Sequence, residues 1–153
     1  MSARRFALDT NILIYGLDSL ADHRYRSAVQ ILDRARLLDC WLTLQSISEF
    51  YAAATRKQLV PASAARVQAE DWLLMFRTAA VSPQSVRGAL ALAASGRASY
   101  WDALLVATAA EAGCTAILTE DLADGTELAG VRIINPFAGP ALSAATEALL
   151  APD

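Results

Sequence analysis

The chain has 153 residues, of which 55% are hydrophobic, and its formal net charge is −3. The length predicts one domain, residues 1–153, and together with the apolar content it excludes an intrinsically disordered chain. The acidic balance argues against a protein that holds nucleic acid by phosphate contacts alone, although an acidic site can still reach phosphates through bound cations.

Apolar runs typical of strands alternate with helical periodicity along the whole chain. In order, the predicted elements are a strand at 4–8, helices at 11–18 and 21–38, a strand at 41–44, helices at 46–57 and 63–76, a strand at 79–81, helices at 82–95 and 100–113, strands at 115–119 and 131–134, and a helix at 140–150. This alternation predicts an α/β fold: a doubly wound, mainly parallel sheet flanked by helices on both faces.

Acidic residues follow three of the predicted strands. Asp9 follows the first strand, Glu49 lies in the first turn after the second, and Glu120 and Asp121 follow the strand "AIL". A further acid, Asp102, stands in the first turn of the most apolar helix. Ligands of open parallel sheets bind beyond the carboxyl ends of the strands, so these positions predict a shared site.

A purely structural role is open for three of these acids. Asp9 begins "DTN", a strong start signal for a helix. Ser46 and Glu49 have the spacing of a capping box, in which Glu49 would bond the start of its own helix. Asp121 fits an ordinary turn, as does Asp124 before a glycine.

Asp102 is harder to explain by capping alone. Ser99 and Asp102 do have capping-box spacing, and a first-turn aspartate suits the helix dipole. However, Asp102 shares its helix face with Leu105, Val106 and Ala109, which follow it by three, four and seven residues. A carboxylate on an apolar face favours a functional role.

Taken together, the acids predict a cation site. Three or four carboxylates that meet without basic partners repel one another, and a hard divalent cation such as Mg²⁺ or Mn²⁺ relieves this repulsion through oxygen ligands. His23 is the only histidine. A zinc site of cysteine and histidine ligands and a Ser/His/Asp mechanism are therefore both disfavoured.

Five segments resemble the PIN-domain nucleases, and most closely the VapC-type toxins of bacterial toxin–antitoxin pairs. They run from Phe6 to Phe137 and read "FALDTNILIY", "SISEFYAAA", "YWDALLVATAAEAG", "AILTEDLADG" and "VRIINPF". No one motif is decisive, but all four acidic motifs in this order, with the Asn-Pro-Phe ending, form a specific signal.

The resemblance implies a function and a set of site residues. It implies a Mg²⁺- or Mn²⁺-dependent endoribonuclease that hydrolyses RNA with a metal-activated water, forms a homodimer and is inhibited by a small cognate antitoxin. The implied catalytic residues are Asp9, Glu49, Asp102 and Asp121. The implied metal ligands are the three aspartates among them, and the implied supporting residues are Thr10, Asn11 and Thr119.

Two points stay open at the level of the sequence. Glu120 and Asp124 flank Asp121 and are candidates to replace or assist it. Candidate substrate contacts are Arg56, Lys57 and Arg97, for which a solvated surface charge is an equally good interpretation.

Single residues argue against two rival functions. A haloacid-dehalogenase-like phosphatase needs a second aspartate where Asn11 stands, and a receiver domain needs a late lysine, whereas no lysine follows Lys57. A catalytically silent PIN-like binding module is the remaining alternative. Clustered like charges serve no binding surface, and the four carboxylates therefore argue against it.

The compartment is predicted from cysteines and apolar runs. Cys40 and Cys114 stand beside apolar residues and are typical of buried free thiols in a reducing compartment. No apolar run reaches the length of a membrane span, and the N-terminal residues do not form a secretion signal. We therefore expect a cytoplasmic protein without membrane contact.

Overall fold

The structure, a computed structural model, describes residues 4–152. In chain order its elements are β1 (Phe6–Leu8), α1 (Thr10–Tyr15), α2 (His23–Ala35), β2 (Cys40–Thr43), α3 (Leu44–Arg56), α4 (Ala62–Met75), β3 (Arg77–Ala79), α5 (Pro83–Ala94), α6 (Tyr100–Glu111), β4 (Ala116–Leu118), β5 (Glu127–Leu128), β6 (Val131–Ile134) and α7 (Ala144–Leu150). This succession confirms the predicted α/β class.

The strands form one six-stranded sheet in the order β3-β2-β1-β4-β6-β5. The pairs β1–β2, β1–β4, β2–β3 and β4–β6 are parallel, and β5 alone pairs antiparallel, with β6. The predicted mainly parallel sheet is therefore confirmed. Because β2 and β3 lie on one side of β1 and β4 on the other, the direction of winding reverses beside β1.

Alternate residues of β1 point into two different cores. Phe6 and Leu8 belong to a large core that includes buried residues of α1, α2, α3, α4 and α7. Ala7 faces the opposite way, into a smaller core with Val106 and other apolar residues of α6. Both faces of the sheet are thus covered, which is why its strands are apolar on both sides.

Two strand predictions need correction, and one strand was missed. The strand predicted at 79–81 lies at Arg77–Ala79 and pairs with β2. It is an edge strand, so its polar residues are tolerated, and they concealed it from a search for apolar runs. Leu44, predicted to end a strand, begins α3. β5 was not predicted, because two residues are too few for a periodic pattern.

The two cysteines are free and buried, as predicted. Burial raises the pKa of the Cys114 thiol to about 12. Within the part of the chain that the structure describes, none of the helices combines the length and the apolar character needed to cross a membrane.

Candidate functional site

The candidate site lies at the carboxyl ends of three adjacent strands, β2, β1 and β4. Asp9 directly follows β1, α3 begins directly after β2, and the segment from Thr119 to Asp121 follows β4. The reversal in winding falls between β1 and β4, and in open α/β sheets this is the position where ligands bind.

Three of the four predicted acids meet at this edge. One carboxylate oxygen from each of Asp9, Asp102 and Asp121 lies within 4.8 Å of the other two. Asp9 is 5% exposed, Asp102 is partly buried and Asp121 is exposed. Within residues 4–152, no arginine or lysine forms an ion pair with any of the three. The cluster therefore holds uncompensated negative charge.

Asp9 is held by hydrogen bonds to both of its carboxylate oxygens. Oδ1 accepts the backbone N–H of Thr10 at 2.6 Å, which makes Asp9 the N-cap of α1. Oδ2 accepts the hydroxyl of Thr119 at 2.6 Å and, more weakly, the side-chain amide of Asn11 at 3.4 Å. The capping interpretation of "DTN" is correct, and it coexists with the cluster.

Burial and mutual repulsion shift two of the carboxyl groups. Burial raises the pKa of Asp9 to about 6; the hydrogen bonds from Thr119 and Thr10 oppose the rise, and the charges of Asp121 and Asp102 add to it. The pKa of Asp102 is also raised, first by burial and then by the charges of Asp121 and Glu49. Both shifts show that the folded chain holds these charges at a cost.

Thr119 connects two members of the cluster. It is fully buried, and while its hydroxyl donates to Asp9, its oxygen accepts the backbone N–H of Asp121 at 3.1 Å. Asn11 donates its amide to the same hydroxyl oxygen at 3.4 Å. The predicted supporting residues therefore lie where they can fix the orientation of the carboxylates.

Asp102 is placed by the start of α6. Ser99 is the N-cap, and its hydroxyl oxygen accepts the backbone N–H of Asp102 at 3.3 Å. Leu105, Val106 and Ala109 are buried against the sheet, as their spacing predicted. Packing of this apolar helix face therefore carries the Asp102 carboxylate to the strand ends.

Glu49 lies beside the cluster, outside the group of three. Two predictions about it are wrong: it stands in the second turn of α3, and it forms no capping box, because Thr43 caps the helix by accepting the backbone N–H of Ser46 at 3.0 Å. Instead, Glu49 accepts the hydroxyl of Thr10 at 2.9 Å and the amide of Gln45 at 2.7 Å. Thr10 thus links the exposed Glu49 to the start of α1.

The other two acids of the "TEDLAD" loop have separate partners. Glu120 accepts the hydroxyl of Tyr15 and, at 3.0 Å, the Nε–H of Arg24. Asp124 accepts the backbone N–H of Asn135 at 2.8 Å. Of the three, Asp121 alone has a carboxylate oxygen in the group with Asp9 and Asp102. Tyr15 and Arg24 were not predicted, because no local signal pairs residues so distant in sequence.

The predicted cationic residues lie away from the three carboxylates. Arg56 and Lys57 are exposed at the far end of α3, seven or more residues beyond Glu49, which is about 10 Å along the helix axis. Arg97 donates to the backbone carbonyl of Glu127 at 3.2 Å. A role in substrate contact stays a prediction for all three.

The donor set fits a hard divalent cation. It consists of carboxylate oxygens, which Mg²⁺ and Mn²⁺ prefer, and one of the three ligands is exposed, which leaves access for water and phosphate. The side-chain oxygen Oδ1 of Asn11 is buried and has no hydrogen-bond partner among the described residues. A bound cation would neutralise the repelling carboxylates, and water bound to it would supply a hydrogen-bond donor for this oxygen.

Comparison with known proteins gives one family and a set of similar folds. The PIN domain family model matches residues 6–123. Among curated proteins, no sequence matches the chain significantly.

Solved structures with a similar fold include three of bacterial origin. The toxin VapC20 of Mycobacterium tuberculosis, described as cleaving the sarcin-ricin loop, is 16% identical with a TM-score of 0.60, over 78% of this chain and 90% of its own. DNA-bound VapBC of Salmonella typhimurium is 18% identical with a TM-score of 0.58, over 84% and 96%. A toxin–antitoxin complex of Klebsiella pneumoniae is 23% identical with a TM-score of 0.59, over 85% and 95%. At these identities the likeness establishes the fold.

Proposed function

The chain belongs to the PIN domain family, and we propose that it is a metal-dependent endoribonuclease, the toxin of a type II toxin–antitoxin pair. The observation that carries the proposal is the meeting of Asp9, Asp102 and Asp121 at the carboxyl edge of the sheet, where none of the described arginines or lysines forms an ion pair with them. The toxins and toxin–antitoxin complexes among the similar folds support the toxin role.

In the proposed reaction, Asp9, Asp102 and Asp121 would hold Mg²⁺ or Mn²⁺. Bound there, the cation would neutralise charge on the scissile phosphate and lower the pKa of the attacking water. Thr119 keeps Asp9 and Asp121 in a fixed relation, because its hydroxyl bonds both. Cation binding would therefore require little rearrangement of the Asp9 side chain and of the Asp121 backbone.

We assign Glu49 a catalytic role separate from metal binding, that of proton acceptor. It is exposed and lies next to the three aspartates, and two hydrogen bonds from Thr10 and Gln45 fix its carboxylate. In this position we assign it to accept a proton from the water that attacks phosphorus. The water supplies the oxygen nucleophile, so the 2′-hydroxyl of the RNA is not needed as one.

The toxin assignment also implies a cellular location and protein partners. We place the protein in the cytoplasm as a single nuclease domain over residues 1–153 that forms a homodimer and is inhibited by a small antitoxin. Exposed apolar residues of α4 offer surface for such contacts; they are Val67, Leu73, Leu74 and Met75.

Cleavage of RNA with and without added metal tests the catalytic proposal. The purified chain should cleave single-stranded RNA in Mn²⁺ or Mg²⁺ and lose this activity in EDTA. Asp9→Asn and Asp102→Asn should each abolish cleavage, because each removes a ligand charge while nearly preserving shape. Asp71→Asn, at an exposed position of α4, is the matched control and should cleave normally. Undiminished cleavage by either site variant would refute the site.

Growth of a bacterial host tests the toxin role. Expression of the chain alone should arrest growth, and expression of Asp9→Asn should not. A short reading frame beside the gene should encode a protein that co-purifies with the chain and restores growth. An active nuclease that is harmless at high expression and binds no neighbouring product would instead have another cellular duty.

A further inference from the structure

One of the three tryptophans stands in solvent next to the acidic cluster. Trp72 is buried, with 5% of its surface exposed, and Trp41 is partly buried and donates its indole N–H to Asp39 at 2.9 Å. Trp101 is 64% exposed and directly precedes Asp102 at the start of α6. Indole is a large apolar group, and such exposure at a site is typical of a binding surface.

The backbone of Trp101 is fixed relative to the site. Its carbonyl accepts the side-chain amide of Gln45 at 3.1 Å, and the same amide donates to Glu49 at 2.7 Å. The Trp101 ring packs against that of Tyr100, with centroids 5.2 Å apart and planes at 68°. The Trp101 ring is therefore packed on one side by Tyr100, at a helix start whose backbone is joined to Glu49 beside the cluster.

The described residues around the site offer little unpaired positive charge to a polyanion such as RNA. Arg24, the arginine bound next to Asp121, already pairs with Glu120 at 3.0 Å, and Arg97 bonds the carbonyl of Glu127, away from the three carboxylates. The chain as a whole is acidic, with a net charge of −3. An RNA substrate therefore needs a contact that does not depend on positive charge, and base stacking on an aromatic ring is such a contact.

We propose that Trp101 stacks against a base of single-stranded RNA and thereby places the neighbouring phosphate at Asp9, Asp102 and Asp121. This inference rests on the proposed ribonuclease function and adds to it a residue that positions the substrate. A base inside a duplex has both faces covered, so the stacking surface selects an unpaired nucleotide in a loop, a bulge or a strand end.

The binding test uses a protein that cannot cut its probe. In the Asp9→Asn background, Trp101→Ala should weaken binding of a short, fluorescein-labelled single-stranded RNA by roughly tenfold or more, measured by fluorescence anisotropy. Trp101→Phe should restore most of the affinity, because phenylalanine also stacks. Leu90→Ala removes another exposed apolar side chain, 54% exposed on α5, and should leave the affinity unchanged. The same RNA annealed to its complement should bind with no dependence on residue 101.

The kinetic test uses the active protein with Mn²⁺. Trp101→Ala should raise KM for single-stranded RNA by a similar factor and leave kcat nearly unchanged, since stacking holds substrate and transition state alike. If the wild type cleaves RNA and Trp101→Ala binds and cleaves equally well, the stacking role is wrong and the ribonuclease proposal stands. If Trp101→Ala instead changes the sedimentation of the protein without changing RNA affinity, the residue is a subunit contact and the inference is overturned. If the wild type cleaves no RNA, both proposals fail.

Discussion

The buried charge of Asp9 should make the metal-free protein less stable as pH rises. Its pKa is raised from the usual 3.8 to about 6, which corresponds to about 3 kcal/mol of unfolding free energy. Because the folded state binds this proton more tightly than the unfolded state, the stabilisation is fully present below about pH 3.8. It is lost as pH rises, and the loss is complete above about pH 6.

Replacement of Asp9 by asparagine should remove this dependence. Asparagine cannot ionise, and it keeps an acceptor for the N–H of Thr10, so α1 stays capped. In urea titrations of metal-free protein between about pH 4 and about pH 8, the wild type should lose about 3 kcal/mol more than Asp9→Asn. This difference isolates Asp9 from the other titrating groups, which both proteins share.

A control variant at an exposed aspartate tests whether the effect is specific to Asp9. Asp71→Asn removes an exposed carboxylate of α4 and should keep the wild-type pH dependence. If Asp9→Asn and the wild type lose stability in parallel, Asp9 is not held as a costly charge, and the electrostatic account of the cluster is wrong.

Three further predictions concern cation binding. In a thermal-shift assay, Mn²⁺ should raise the melting temperature of the wild type. Without metal, Asp102→Asn should be at least as stable as the wild type, and with Mn²⁺ it should show little of this rise. Thr119→Val should weaken Mn²⁺ binding by roughly tenfold in an electron paramagnetic resonance titration, and Thr119→Ser should restore it, because serine keeps the hydroxyl. Tyr15→Phe removes the hydroxyl that donates to Glu120, the residue before Asp121, and should also weaken Mn²⁺ binding. Tyr25→Phe is the matched change on α2 and should leave Mn²⁺ binding unchanged. Unaltered Mn²⁺ affinity in the valine or phenylalanine variant would limit that residue to a structural role.

The position of the site could be predicted because it depends on two local patterns. Asp9 and Asp121 come shortly after apolar runs that are typical of buried strands, and parallel strands bring their carboxyl ends to one edge. Asp102 was identified by its place on an apolar helix face, since helical spacing fixes which residues share a face. Both patterns are visible in a single sequence, and the structure has all three carboxylates together.

The parts that were missed have two causes, a misplaced strand boundary and contacts between distant residues. Thr43, and not Ser46, caps α3, because the strand before it ends one residue earlier than its apolar letters suggest. The pairing of Glu120 with Tyr15 and Arg24 joins the β4 loop to α1 and α2 across about a hundred residues of chain. A periodic pattern carries no information on such pairs, which is why Glu120 and Asp121 could not be told apart from the sequence.

The two interpretations of Asp9, helix cap and cation ligand, do not compete. An ionised carboxylate has about four sites that can accept, and the strong bonds from Thr10 and Thr119 use one on each oxygen. The remaining sites stay available to a cation without breaking the cap. The cap in turn fixes the side chain before any cation arrives, so little conformational entropy is lost on binding. The segment "DTN" therefore serves the fold and the proposed site through the same atoms, and this is why a capping signal at the end of a central strand does not argue against a functional aspartate.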